Sequence, residues 1–430
     1  MKRLIDELIE QRKFLQLYYE KDITHVDISS LLNADEAKDI GQALSISEFI
    51  THFSYNARYP KAATNQQAIA AQINQLISQG LVKNSSLLHL DLSNSYLTSA
   101  SITSLVGSGP AISSLTYLDL SNNNIGSQTY EVFANLLSTN EALKYLKLAS
   151  CGLSQGSPQP IFKALANIGN ITHLDISANS LNQDQSKALL PLISKNKTLL
   201  HLNISQNSMC DLGFNLSDEA LVEHPKIISL DLSNNNLSGQ SARGLAAIFA
   251  DNKVLKSINL ANNNLQASGI SKMIGALKDN GCIILIDFSN NQLQTGGGKV
   301  IANLLVANTT LKDLNISANQ LGYEATKYIA DALKSNKTLL CLNMTQNAID
   351  EAGGILLARA LEVNNCLTKL SLGNNSLQSA GVISLANALS QNKFVKYLDI
   401  SSNQITDKGL EAIAELLNLN YLTYLNVSNN

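Results

Sequence analysis

Five of the six histidines of this chain recur on one register: His25, His52, His89, His173 and His201. Tyr117 and Tyr145 fill the same register between them, so seven consecutive occurrences carry a flat ring able to hydrogen-bond. Imidazoles in a row suit metal coordination, proton transfer or recognition of a partner. A structural or catalytic metal needs three or four converging ligands. His173, Asp175 and His201 would meet on adjacent strands, but nothing fixes a third or fourth ligand with metal geometry. The spacing therefore predicts no metal site and no cofactor.

Other chemistry is sought and not found. HExxH, GxSxG and paired CxxC patterns do not occur. The run GGGKV at 296–300 has the look of a phosphate loop, yet Leu293 stands where the first glycine of GxxxxGK[ST] belongs. Val300 also replaces the hydroxyl residue that would hold magnesium. Those glycines are expected to shape a strand-to-helix turn. Cys151, Cys210, Cys282, Cys341 and Cys366 are odd in number and widely scattered, so no disulfide framework is implied. No catalytic residue is assigned, and the chain reads as a non-enzyme.

The elements that place the ring register come from an internal repeat. LTYLDLSNNNI at 115–125 returns as ITHLDISANSL at 171–181, IISLDLSNNNL at 227–237, LKDLNISANQL at 311–321 and VKYLDISSNQI at 395–405. Its first apolar residue advances by 28 residues at each step from Leu87 to Val395, and a last copy begins at Leu422. The fourth and sixth positions, such as Leu118 and Leu120, alternate as a strand does, and the rest of each unit has helical spacing. One strand and one helix per unit predict a stack with a parallel sheet on one side and helices on the other, stable only through its neighbours. The ninth position is usually Asn (Asn123, Asn179, Asn207, Asn235, Asn263 and onward), where a buried amide can serve both donors and acceptors of the turn. Ser95 and Cys151 interrupt that series. Gly269, Gly297, Gly353, Gly381 and Gly409 recur where the chain enters its helix and needs room.

These motifs resemble the leucine-rich repeat family in its ribonuclease-inhibitor-like class, over residues 87–430. The resemblance implies an α/β solenoid, a horseshoe with a parallel β-sheet on the concave face and helices on the convex face. The expected organisation is an N-terminal helical cap at 1–22, two degenerate repeats with a longer helical connection at 23–86, and thirteen repeats at 87–430. The thirteenth is incomplete. The last unit stops at VSNN before its helix, which favours a chain continuing past Asn430.

In such units the third, fifth and seventh positions point away from the helices. The third carries the rings, then Ser229, Ser257, Leu285, Asp313, Cys341, Lys369, Tyr397 and Tyr424. The fifth carries Asp91, Asp119, Lys147, Asp175, Asn203, Asp231, Asn259, Asp287 and Asn315, with Asp outnumbering Lys seven to one over the full column. Alternation of Asp with Asn relieves repulsion between like charges on neighbouring strands. The seventh, mostly Ser, is expected to let a partner approach closely. His89, Tyr117, Tyr145, His173, His201, Asp91, Asp119, Lys147, Asp175, Asp231 and Tyr397 are the expected partner contacts. Stacking of rings across strands and a structural use of Asp at this position are the competing explanations.

With 430 residues, 45% hydrophobic and 15% charged, the chain can bury a large core. A formal charge of −3 is too balanced for a nucleic-acid binder, and no apolar run reaches the length of a membrane span. The expected partner is a protein with a basic surface, bound by a monomer. The family resemblance also implies an alternative, since Ran GTPase-activating proteins share the class; only Arg58 sits on a strand-to-helix turn where a GTPase-directed arginine would stand. Sequons at Asn203-Ile-Ser205 and Asn315-Ile-Ser317 would place glycans on the binding face, which argues for a cytoplasmic setting. Lys in excess of Arg and abundant Asn give the chain the style of leucine-rich-repeat effectors that bacteria such as Legionella deliver into the host cytosol.

Overall fold

The computed structural model describes residues 23–56, 64–106, 113–215, 218–419 and 421–430. The cap expected at 1–22 lies outside the described residues. The chain forms two compact units, one of residues 1–208 with 224–227 and the other of 209–223 with 228–430.

The first unit holds seven parallel strands in chain order: β1 His25–Ile28, β2 His52–Tyr55, β3 His89–Asp91, β4 Tyr117–Asp119, β5 Tyr145–Lys147, β6 His173–Asp175 and β7 His201–Asn203. Each pairs with the next in equivalent register, His25 opposite His52, His89 opposite Tyr117, Tyr145 opposite His173. The middle residue of each three-residue strand is buried while at least one neighbour stays open, as with Leu146 between Tyr145 and Lys147. Leu115, Leu118, Leu120 and Ile125 of one repeat are all at most 1% exposed. Each such side chain contributes about 1.5–3 kcal/mol of burial. Between strands run helices such as Ala34–Ile46, whose N-terminus is closed by a capping box between Asn33 and Glu36.

The second unit repeats the plan with β8 Ser229–Asp231, β9 Ser257–Asn259, β10 Leu285–Asp287, β11 Asp313–Asn315, β12 Cys341–Asn343, β13 Lys369–Ser371, β14 Tyr397–Asp399 and β15 Tyr424–Asn426. Its helices are longer and more regular, for example Gln266–Asp279, Gln294–Ala307 and Gly322–Ser335. Each unit is thus a parallel α/β solenoid, in agreement with the repeat. The glycine run at 296–300 is not a turn but lies inside the helix Gln294–Ala307. A Cβ on Gly298 would run into Ala325 of the next helix, so the run serves close helix packing.

Two buried ladders hold the coils together. In the first, Asn123 Oδ1 accepts from the backbone N–H groups of Ser95 and Leu97 in the preceding repeat at 3.2 and 2.8 Å. Its Nδ2 donates to the carbonyls of Leu92 and Leu120, both at 2.8 Å. Ser95 and Cys151 keep the donor half of this device, giving to Tyr55 O at 2.5 Å and Leu120 O at 3.1 Å. The second ladder stands three residues before each repeat's first Leu or Ile. Asn196 Nδ2 donates to Leu165 O at 3.0 Å, and its Oδ1 accepts from Thr198 N and Leu199 N. Asn252, Asn280, Asn308, Asn336, Asn364 and Asn392 do the same. These amides satisfy carbonyls that a helix end leaves without partners.

Candidate functional site

The helix-free face of the first unit carries the ring register. Side chains at the third and fifth positions of a strand leave the sheet on the same side, two residues apart. Equivalent register between strands then stacks each column. His25 and His52 lie with ring centroids 3.8 Å apart, His52 and His89 5.1 Å, and His89 and Tyr117 3.9 Å. A second stack joins Tyr145, His173 and His201 at 4.2 Å each. Between the stacks Tyr117 and Tyr145 separate to 6.1 Å and tilt by 35°.

The break has a local cause. Lys147 Nζ stands 5.3 Å over the Tyr117 ring and 3.6 Å from Asp119 Oδ2, and the Tyr117 hydroxyl donates to the same carboxylate at 3.3 Å. Burial raises the Tyr117 phenol above its ordinary range, against the opposing pull of Lys147, and the bond to Tyr117 raises Lys147. Asp119 is buried at 7% exposure, so this expected contact residue lies beneath its neighbours and is engaged by them.

Burial lowers the imidazoles of His52, His89 and His173, with His25 and His89 adding to the effect on His52 and His201 to that on His173. These three rings therefore favour the neutral form at pH 7. Asp27, Lys147 and Tyr145 are exposed, and Asp91, Asp175, His173 and His201 are half-buried. Among the described residues no three His, Cys, Asp or Glu side chains converge as a metal-binding group.

The fifth-position column has a structural duty. Oδ1 of Asp91, Asp119 and Asp175 accepts the backbone N–H of Ser93, Ser121 and Ser177 at 2.8–2.9 Å. In the second unit the expected relief between charges is a bond: Asn259 donates to Asp231 at 2.9 Å and Asn315 to Asp287 at 2.8 Å. In five repeats the small serine of the seventh column is nearly covered, whereas Ser289 and Ser317 are half-buried. Ser93, Ser121, Ser177, Ser205 and Ser233 are only 4–7% exposed, because the turn that follows folds over so small a side chain. They offer a partner little surface.

Asp231 and Tyr397 belong to the second unit. There Tyr397 stacks on Tyr424 at 4.1 Å, with Lys369 Nζ 4.4 Å over its ring. A cavity of about 220 Å³ opens on that unit's sheet face among Asp287, Asp313, Cys341 and Lys369. Burial raises both Asp313 and Cys341. Of the arginines, Arg243 and Arg359 lie in helices, and Arg58 is outside the described residues.

Two features carry a sequence signal that the column reading passes over. Threonine precedes His25, His52 and His173, and its hydroxyl sits 2.8–2.9 Å from Nδ1 of each ring. The sixth histidine, His224, replaces Asn in the second ladder. Both were visible, as Thr-His pairs and as an Asn-x-x-Leu spacing in register with the repeat.

A family model for Leucine Rich repeat matches residues 111–128, 251–273, 307–330, 335–358, 363–386 and 391–414, and one for Leucine Rich Repeat matches 226–247. The chain thus carries leucine-rich repeats over much of its length, and these repeats point to a protein-binding scaffold. No curated protein matches the chain. Among solved structures it is similar to the Leiomodin-1 Actin-Binding Site 2, at 22% identity over 36% of this chain and 88% of that one, with a TM-score of 0.32. The tropomodulin C-terminal domain of Caenorhabditis elegans is similar at 13% identity over 42% and 93%, with a TM-score of 0.29. No helix among the described residues is long and apolar enough to cross a membrane.

Proposed function

We propose that this leucine-rich-repeat array is a non-catalytic scaffold that binds a protein partner on the helix-free face of its first unit. The observation that carries the reading is the register of seven rings from His25 to His201 on seven successive strands. Tyr gives large contact area at low entropic cost, and imidazoles add polar edges. Asp27, Asp91 and Asp175 beside the rings suit a partner with a basic surface, steering its approach in a salt-dependent way. On the second unit, taken by itself, Asp231 and Tyr397 are proposed as further contacts.

The 28-residue period supports assignment to the ribonuclease-inhibitor-like class. We place the protein, as a monomer, in the cytosol, and read it as a bacterial effector acting inside a host cell. Sequon residues Asn196, Asn308 and Asn336 support residence outside the secretory pathway, since their amides are buried in the second ladder where no glycan fits.

Site-specific photocrosslinking in host lysate tests the binding face. A photoreactive residue at Tyr145 should capture one discrete protein, and the same residue at Val306, 63% exposed, should not. Identical capture from both positions, or none from Tyr145, would remove the ring face from the proposal.

A further inference from the structure

We infer that the threonines before His52 and His173 lock those rings as outward hydrogen-bond acceptors, so that the ring face selects an arginine-bearing segment of a partner protein. A threonine hydroxyl has one proton to give. In this fold the threonine at the second position of a repeat gives it to the second-position carbonyl of the preceding repeat. Thr116 does so to Leu88 O at 3.0 Å, Thr368 to Leu340 O at 3.0 Å and Thr423 to Lys396 O at 3.1 Å, none of them followed by histidine. Thr51 makes the same bond to Thr24 O at 3.3 Å and Thr172 to Lys144 O at 3.1 Å.

With that proton committed, the hydroxyl can only accept from the ring beside it. His52 Nδ1 lies 2.9 Å from Thr51 Oγ1 and His173 Nδ1 2.9 Å from Thr172 Oγ1. Each Nδ1 must therefore carry the hydrogen, and each neutral ring keeps its lone pair on Nε2. Among the described residues nothing hydrogen-bonds to Nε2 of either ring. His89 and His201 follow Leu88 and Leu200, so they lack the lock and serve as internal controls.

Two outward acceptors, on β2 and β6, with Asp27, Asp91 and Asp175 on the same face, call for partner groups with donors only and a positive charge. Lys147, the one cation in the third and fifth columns of this face among the described residues, already lies 3.6 Å from Asp119 Oδ2. Guanidinium has five N–H donors and no acceptor, and it stacks flat on aromatic faces. An ammonium has the charge without the plane. The arginine preference rests on the ring face being the binding surface, whereas the tautomer lock does not.

Long-range ¹H–¹⁵N NMR of the whole chain at pH 7.5 reads the tautomers, with His→Gln variants for assignment. His52 and His173 should show the Nδ1–H form, and Thr172→Val should return His173 to a mixture while leaving His52 unchanged. A dominant Nε2–H form at His52 or His173 in the parent chain overturns the lock, whatever the partner. A hexa-arginine peptide should then shift the His173 ring resonances, bind at least tenfold tighter than hexa-lysine or hexa-glutamate, and lose roughly fivefold affinity in Thr172→Val. A correct tautomer with hexa-lysine bound as tightly, or with no peptide bound, overturns the arginine selection alone. The crosslinking contrast between positions 145 and 306 decides the binding face separately.

Discussion

His224 donates from Nε2 to the carbonyl oxygen of Asn196, 2.8 Å away, and its Nδ1 accepts the backbone N–H of Ile227 at 3.1 Å. An imidazole here does what a carboxamide does in the other repeats. Burial pushes its pKa down from 6.5 to about 4, against the bond to Asn196 and with Lys197 adding to the fall, and a charged ring would also lose the acceptor that Ile227 and Lys226 use.

That relationship sets the sign of an acid response. Below pH 6.5 the unfolded chain takes up a proton that folded His224 refuses until about pH 4. Stability of the first unit should be full above 6.5 and fall as pH drops towards 4, by on the order of 2 kcal/mol from this group. His52, His89 and His173, lowered in the same direction, add to the fall. Urea midpoints at pH 7.5, 5.5 and 4.5 measure it. His224→Asn should fold and flatten the response in part; an unchanged slope would show that the ladder histidine does not titrate this way.

Asn263 tests the first ladder. Its Oδ1 accepts from Asn235 N and Leu237 N, both at 3.0 Å, and its Nδ2 donates to Leu232 O and Leu260 O. Asn263→Ala leaves several buried backbone groups unpaired, at about 1–3 kcal/mol for each one that water cannot reach. The expected loss is about 3 kcal/mol or more in denaturant unfolding of the second unit. A change below 1 kcal/mol would mean that water replaces the amide.

Cys151 occupies an Asn position of that ladder and is fully buried, with its thiol pushed up to about 12 by burial. Thiolate is the reactive form, so this cysteine should resist iodoacetamide at pH 8 while the chain is folded. Mass spectrometry should find it modified only after denaturation, whereas Cys282 and Cys366, half-buried, label in the native state. Prompt native labelling of Cys151 would contradict its place in the ladder.

Much of this was legible in the residues. A strict 28-residue period with Leu118- and Leu120-type alternation leaves little freedom, because each coil buries its apolar face only against the next. The ring register was legible for the same reason: equivalent positions in equal coils must stack. What single positions share with their turns was not. The burial of Ser93 and Ser121 follows from how the chain folds over after the strand, which spacing does not encode. The glycines at 296–298 looked like turn residues because composition cannot tell a loop from a helix face that meets another helix closely. Nor could the series reveal that Lys147 would sit over Tyr117 and split the ring stack in two.

Binding through the rings is tested most directly by the affinity of the protein captured at position 145 for the parent chain and for Tyr117→Ala with Tyr145→Ala. Those two rings flank the break in the stack and offer its accessible aromatic surface. Removing both should cost about 2 kcal/mol of binding, a roughly 30-fold rise in Kd, in a variant that a lowered urea midpoint still leaves folded at the temperature of the binding assay. Equal affinity in a variant that remains folded would contradict recognition through the rings.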